Sequence, residues 1–152
     1  MKIIDIIHKD AILTDLIARD KKTVIQEMAI PAATILKVDL SEIIKVLLDR
    51  ERLGSTGIGR GIAIPHGKLK SIEFPFLGLG ISRKGVEFDS LDGMSAHLFF
   101  LLITPEQSTG THLKVLSQIA RILKNDVFKN SLLNAHDSQD ILSIIQAEED
   151  KQ

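Results

Sequence analysis

The sequence predicts an α/β fold, a three-layer α/β/α sandwich formed by one domain over residues 1–152. Two observations carry this expectation. Apolar residues at helical spacing stand before and after a central block of short strands, so helices are available for both faces of a sheet. Within that block, residues 98–103 are apolar at every position, as in a central strand covered on both sides. A chain of 152 residues that is 44% apolar can supply a substantial core.

The elements follow in order. Residues 11–17 alternate roughly and predict a strand. Asp20 can cap a helix running from Lys21 through Val24, Met28 and Ile30. Pro31 should kink or end that helix, because proline has no N–H to donate. A second helix follows, with Asp39 and Glu42 at capping-box spacing and Leu40, Ile43, Ile44, Leu47 and Leu48 as its apolar face. Gly54 is placed to end it in a left-handed turn. After the glycine-rich segment, Ile62, Ala63 and Ile64 predict a short buried strand that Pro65 stops, leaving His66 just past it. Residues 77–83 and 97–104 read as two more strands, with Asp92-Gly93 as a turn before the second. The last third is helical. Leu113, Leu116, Ile119, Ala120 and Leu123 form one stripe; Asp126 caps a short helix, and Ser138 caps another carrying Ile141, Leu142 and Ile145.

Composition narrows the function. A net charge of −1 provides no basic excess for nucleic acid or an anionic membrane. The absence of cysteine excludes disulfides, thiolate metal sites and a cysteine nucleophile. Residues 1–8 lack the apolar core of a signal peptide, and no apolar run reaches the length of a membrane span. A cytoplasmic protein without direct membrane insertion is expected.

The glycine-rich segment fails both nucleotide-binding patterns. Ile62 and Ile64 stand where a dinucleotide fingerprint needs its third glycine, and Arg60 and Gly61 stand where a P-loop needs Lys and then Ser or Thr. A compact turn is the simpler reading. The five histidines have no helical zinc spacing, so no metal is expected. His66 is distinguished by its setting. It follows a buried strand, Pro65 restricts its approach, Gly67 leaves room beside the imidazole, and Lys68 adds a positive charge suited to phosphate.

The stretch Gly54-Ser55-Thr56-Gly57-Ile58-Gly59-Arg60-Gly61-Ile62-Ala63-Ile64-Pro65-His66-Gly67-Lys68-Leu69 closely resembles the active-site segment of the fructose/mannitol class of enzyme IIA, part of the bacterial phosphoenolpyruvate:sugar phosphotransferase system. The likeness extends upstream to Arg50 and Glu51. It includes a second segment, Thr104-Pro105-Glu106-Gln107-Ser108-Thr109-Gly110-Thr111-His112-Leu113-Lys114-Val115-Leu116. The resemblance implies a single enzyme IIA type 2 domain built on a small mixed β-sheet. It further implies phosphorylation of His66 on Nε2, with His112 beside it and Arg50 near the site, and no metal or organic cofactor. The implied donor is a histidine-containing carrier of the HPr type. The glycine-rich and Gly67-Lys68-Leu69 stretches look most like the nitrogen-regulatory branch, in which the phosphorylation state selects partner proteins. The alternative is a sugar-transport component passing phosphate to a cysteine on a separate IIB protein. Ile58, Ile62 and Ile64 beside Arg60 and Lys68 are the expected partner surface. Two departures stand out: Arg60 occupies a position that is commonly Asn in the family, and Pro31 lies where relatives usually run a plain helix.

Overall fold

The computed structural model describes residues 1–151. The elements are α1 (Ile3–Ile6), β1 (Ile7–Leu13), α2 (Lys21–Leu36), α3 (Leu40–Arg52), β2 (Gly57–Gly59), β3 (Ile62–Ala63), β4 (His66–Leu69), β5 (Phe76–Val86), β6 (Ala96–Pro105), α4 (Thr109–Ile122), α5 (Asp126–Leu133) and α6 (Ser138–Asp150). The strands form one mixed sheet in the order β1-β5-β6-β3-β2, with β4 also paired to β6. Strands β5 and β6 run antiparallel at its centre, while β1 joins β5, and β3 and β4 join β6, in parallel.

The alternation of β6 explains the layers. Successive side chains of a strand point to opposite faces. Leu98, Phe100 and Leu102 pack with Val115, Ile119 and Ile122 of α4 and with Ile141 and Ile145 of α6. Phe99, Leu101 and Ile103 pack with Val24, Ile25 and Met28 of α2 and with Ile43 and Leu47 of α3. The three-layer α/β/α architecture is therefore as the sequence predicts. No described helix is long and apolar enough to cross a membrane.

Several local expectations are corrected. The short helix α1 precedes the first strand, which begins at Ile7 and ends at Leu13. Glu149 of α6 holds α1 in place by accepting from the Ile3 and Ile4 amides, both at 2.8 Å. Helix α2 continues through Pro31 to Leu36, because Ala29 and Ala32 are fully buried on either side and packing outweighs one missing hydrogen bond. Asp20 caps α2 as expected, accepting from the Thr23 amide at 2.9 Å. Asp39 is the N-cap of α3 but makes no side-chain cap bond, so the capping box does not form. That helix ends on right-handed Leu53, and Gly54, at φ 148°, lies far from the left-handed helical well. The caps of the last two helices fall one residue earlier than expected, on Asn125 and Asp137. Asp126 and Ser138 are instead the first helical residues.

The correction that matters most concerns His66, which does not stand on a loop. Strands β3 and β4 lie along the same side of β6, Ile62 and Ala63 opposite Leu98 and Phe99, and His66 to Leu69 opposite Leu102 to Pro105. Pro65 interrupts the ladder because it cannot donate, yet its carbonyl accepts from the Leu102 amide at 3.0 Å. His66 therefore opens a strand whose backbone is locked onto the centre of the sheet.

Gly67 does more than leave room for the imidazole. A Cβ there would meet Val46 Cγ1 of α3 at 2.4 Å, so the glycine lets α3 approach β4. Val46 is β-branched and stiff about χ1, so it cannot easily turn away. Gly67→Ala should therefore destabilise by about 1–3 kcal/mol, as overpacking typically does. The double variant Gly67→Ala with Val46→Ala should recover part of that loss. Urea unfolding of the four proteins of the cycle measures the coupling; strict additivity would show that the contact does not limit the packing.

Candidate functional site

Three elements bring three of the sequence-selected residues together. Arg50 lies in the last turn of α3, His66 opens β4, and His112 sits in the first turn of α4. They line a shared surface hollow of about 420 Å³ with Lys68.

His66 is half-buried, and both ring nitrogens are engaged. Its Nδ1 lies 2.8 Å from the Ile64 carbonyl oxygen. A carbonyl can only accept, so Nδ1 carries the proton and the lone pair of the neutral ring is on Nε2. Arg50 Nε donates to that Nε2 at 3.2 Å, and Arg50 Nη1 donates to the Gly54 carbonyl at 2.8 Å. The second bond anchors the guanidinium to the end of its own helix.

The ring of His112 is tilted by 60° to that of His66, with centroids 5.2 Å apart. It is only 5% exposed, and its Nδ1 lies 2.6 Å from the Thr104 hydroxyl. The direct hydrogen bond to His66 Nε2 thus comes from Arg50, and His112 makes none to His66. Lys68 Nζ donates to Thr109 Oγ1 at the start of α4, 3.0 Å away. Behind Arg50, buried Glu51 accepts from the Thr56 amide at 3.1 Å and from the Thr56 hydroxyl, and pairs with Lys21 at 3.0 Å. This ties the start of the glycine-rich segment to α3.

The electrostatics keep both histidines neutral. Burial pushes the pKa of His66 down, and the Arg50 charge acts in the same direction against the Ile64 carbonyl and Glu51. Burial first, then the repulsion a protonated His66 would exert and the charges of Lys68 and Arg50, lowers that of His112 to about 4. A neutral imidazole with its lone pair beside a guanidinium, in a half-buried hollow, is an arrangement able to meet an anionic group.

Sequence reasoning missed part of this arrangement. The buried face of α4 runs through His112, Val115, Ile119 and Ile122, and Leu113 is 61% exposed. Leu113 and Leu53, which is 85% exposed, border the hollow. Ile62 and Ile64 are buried in the core and present no surface; of that expected trio Ile58 alone is exposed. Arg60 lies outside this hollow. It adopts φ 58°, and its guanidinium donates to the Leu123 carbonyl at 3.2 Å and pairs with Asp126. The sequence assigns no role to Thr104 or to the exposed Leu53. The available signal for Thr104 was a lone hydroxyl at the end of an apolar run, eight residues before His112.

Comparison with known proteins gives a consistent set of relatives. The family described as "Phosphoenolpyruvate-dependent sugar phosphotransferase system, EIIA 2" matches residues 5–148. A nitrogen regulatory protein of Bradyrhizobium diazoefficiens is 39% identical over 145 residues, 95% of each chain. The PTS system fructose-specific EIIABC component of Bacillus subtilis is 37% identical over 146 residues, which cover 95% of this chain and 23% of that longer protein. The crystal structure of nitrogen regulatory protein IIA-Ntr from Neisseria meningitidis matches with a TM-score of 0.89 at 31% identity, covering 94% of this chain and 98% of that one.

The depressed pKa of His112 has a measurable consequence. Between its unfolded value near 6.5 and its folded value of about 4, the unfolded chain binds the proton and the folded chain does not. The resulting stability is fully present above pH ~6.5 and is lost as pH falls towards 4, with a slope of at most about 1.4 kcal/mol per pH unit. Urea unfolding across that window should show a flatter pH dependence for His112→Gln than for the wild type. Coincident slopes would mean that His112 titrates normally.

Proposed function

The chain belongs to the EIIA 2 family of the phosphoenolpyruvate-dependent sugar phosphotransferase system, and we propose that within it the chain is a phosphocarrier that holds a phosphoryl group on His66 Nε2. The observation that carries this reading is the bond from His66 Nδ1–H to the Ile64 carbonyl, which leaves the Nε2 lone pair facing the hollow. The donor is a histidine-containing carrier protein of the HPr type. As the N–P bond of the donor breaks, its electron pair returns to the donor imidazole, which leaves as a neutral ring because its other nitrogen carries a proton, and the His66 Nε2 pair forms the new bond. The His66 ring keeps its Nδ1 proton on the Ile64 carbonyl throughout. Such a transfer has a loose transition state with charge on the phosphoryl oxygens, so positioning and electrostatics supply most of the catalysis. In this reading Arg50 turns its donor from Nε2 to those oxygens, and His112 and Lys68, which line the same hollow, offer further donors. Donor and acceptor are both protein side chains, so the step needs no metal or organic cofactor. The exposed Leu53 and Leu113 give a partner an apolar rim around the reacting ring.

The nitrogen regulatory relatives support a regulatory role in the cytoplasm, in which the phosphorylation state decides which proteins are bound. Phosphorylation replaces a neutral imidazole by a group carrying up to about two negative charges, on a chain of net charge −1. The EIIABC relative favours a second reading, transfer to the cysteine of a separate IIB protein during sugar uptake.

Incubation with phosphoenolpyruvate, enzyme I and the carrier should add one phosphoryl group, read by intact mass, that is acid-labile and alkali-stable. His66→Ala should take up none, and uptake by that variant removes His66 from the role. His112→Ala should slow transfer by about 10²–10³-fold, the usual cost of one donor to a developing charge. Wild-type rates would remove His112. For the regulatory role, pull-downs from native cytoplasm with His66→Ala and His66→Glu should recover different regulatory partners. Recovery of a sugar IIB protein only would favour transport.

A further inference from the structure

We propose that Thr104 is a positioning residue for phosphoryl transfer: its buried hydroxyl donates to His112 Nδ1 and so holds His112 in the tautomer whose Nε2–H faces the hollow beside His66. This rests on the phosphocarrier reading above.

The argument is one of hydrogen-bond accounting. Thr104 lies on β6, opposite Lys68 of β4, and is 0% exposed. Its hydroxyl has a single partner, His112 Nδ1, at 2.6 Å. Two arrangements are available to that pair. If Nδ1–H donated to the hydroxyl, the hydroxyl proton would be left in the core with no acceptor, at the cost of an unmet buried donor. If the hydroxyl donates, its proton is satisfied, and the proton of the neutral imidazole resides on Nε2. The second arrangement is the one without an orphaned group.

The other nitrogen then has a defined task. Among the described residues, the buried side-chain polar atoms without a partner are Ser90 Oγ and Gln118 Oε1. His112 Nε2 is not one of them, yet it makes no hydrogen bond, so it is open at the surface of the hollow that it shares with His66. The ring lies 5.2 Å from the His66 ring, within reach of a phosphoryl oxygen on His66 Nε2. An Nε2–H there donates to that oxygen, whereas a bare lone pair would repel it. A buried partner on the far nitrogen sets the chemistry of the near one, as for histidines in other catalytic sites.

The test begins with the wild type and needs no variant. Two-bond ¹H–¹⁵N spectra of the histidine-labelled, unphosphorylated protein should show His112 as the Nε2–H tautomer; the Nδ1–H pattern would overturn the proposal. Thr104→Val keeps the shape and removes the donor. It should release the tautomer and slow transfer from the carrier by roughly tenfold or more, up to the about 10²–10³-fold expected for loss of the donor itself. Thr104→Ser should restore both. In a His112→Ala background, Thr104→Val should cause no further slowing. Equal slowing in that background, or wild-type transfer by Thr104→Val where His112→Ala is slow, would overturn the role of Thr104 and leave the carrier reading intact. Phosphate uptake by His66→Ala would instead overturn the carrier reading, and the role of Thr104 with it.

Discussion

Strand β6 has to be covered on both faces, and the site exists because of how that is done. Its residues from Leu98 to Ile103 are at most 1% exposed, so neither face tolerates water. One face is covered by α2 and α3, and the other by α4, α5 and α6 with α1. The C-terminal turn of α3 and the N-terminal turn of α4 consequently arrive at the same end of the sheet from opposite layers. Strand β4, locked alongside β6, carries His66 between them. Arg50 comes from one layer and His112 from the other. No loop has to be ordered to bring the three together.

Burial also explains why the pair of histidines is chemically biased. Desolvation disfavours the imidazolium form of both rings; Arg50 disfavours it further in both, and Lys68 in His112. The hollow thus sets the cations of Arg50 and Lys68 beside two neutral rings, and its Asp49 is already paired with Lys45 and Arg52. A phosphoryl group held on His66, as proposed, would meet those two cations. A partner pressing Leu53 and Leu113 into its own surface would exclude water and strengthen those interactions.

The two departures from the family pattern have local physical roles. Asn tolerates positive φ better than most residues, so the Asn expected at the Arg60 position would suit a tight turn of this kind. Arg60 occupies the same conformation, and its long side chain compensates by tying the β2–β3 turn to the end of α4 and the start of α5. Lys129 completes the tie by donating to the Arg60 carbonyl at 3.0 Å. Pro31 removes one backbone donor from α2, but its neighbours Ala29 and Ala32 keep that helix seated on the sheet. Neither residue reaches the hollow around His66.

The layered architecture is legible in the chain because periodicity is a local signal: apolar stripes at helical spacing bracket the strands, and the unbroken apolar run of β6 demands cover on two sides. The sequence also singles out His66, whose proline, glycine and lysine neighbours are adjacent in the chain, and the family motif then brings in His112 and Arg50. Tertiary structure decided what depends on partners distant in sequence. Strand β4 has no strand-like composition and exists because His66 to Leu69 can pair with β6. The rotation of α4 that buries His112 and exposes Leu113 follows from the shape of the opposing sheet, which no helical stripe encodes. The bonds from Arg50 to His66 and from Thr104 to His112 depend on separate elements converging to hydrogen-bond distance. Such convergence is set by packing, because a hydrogen bond fails over a displacement of an ångström that no spacing in the chain can specify.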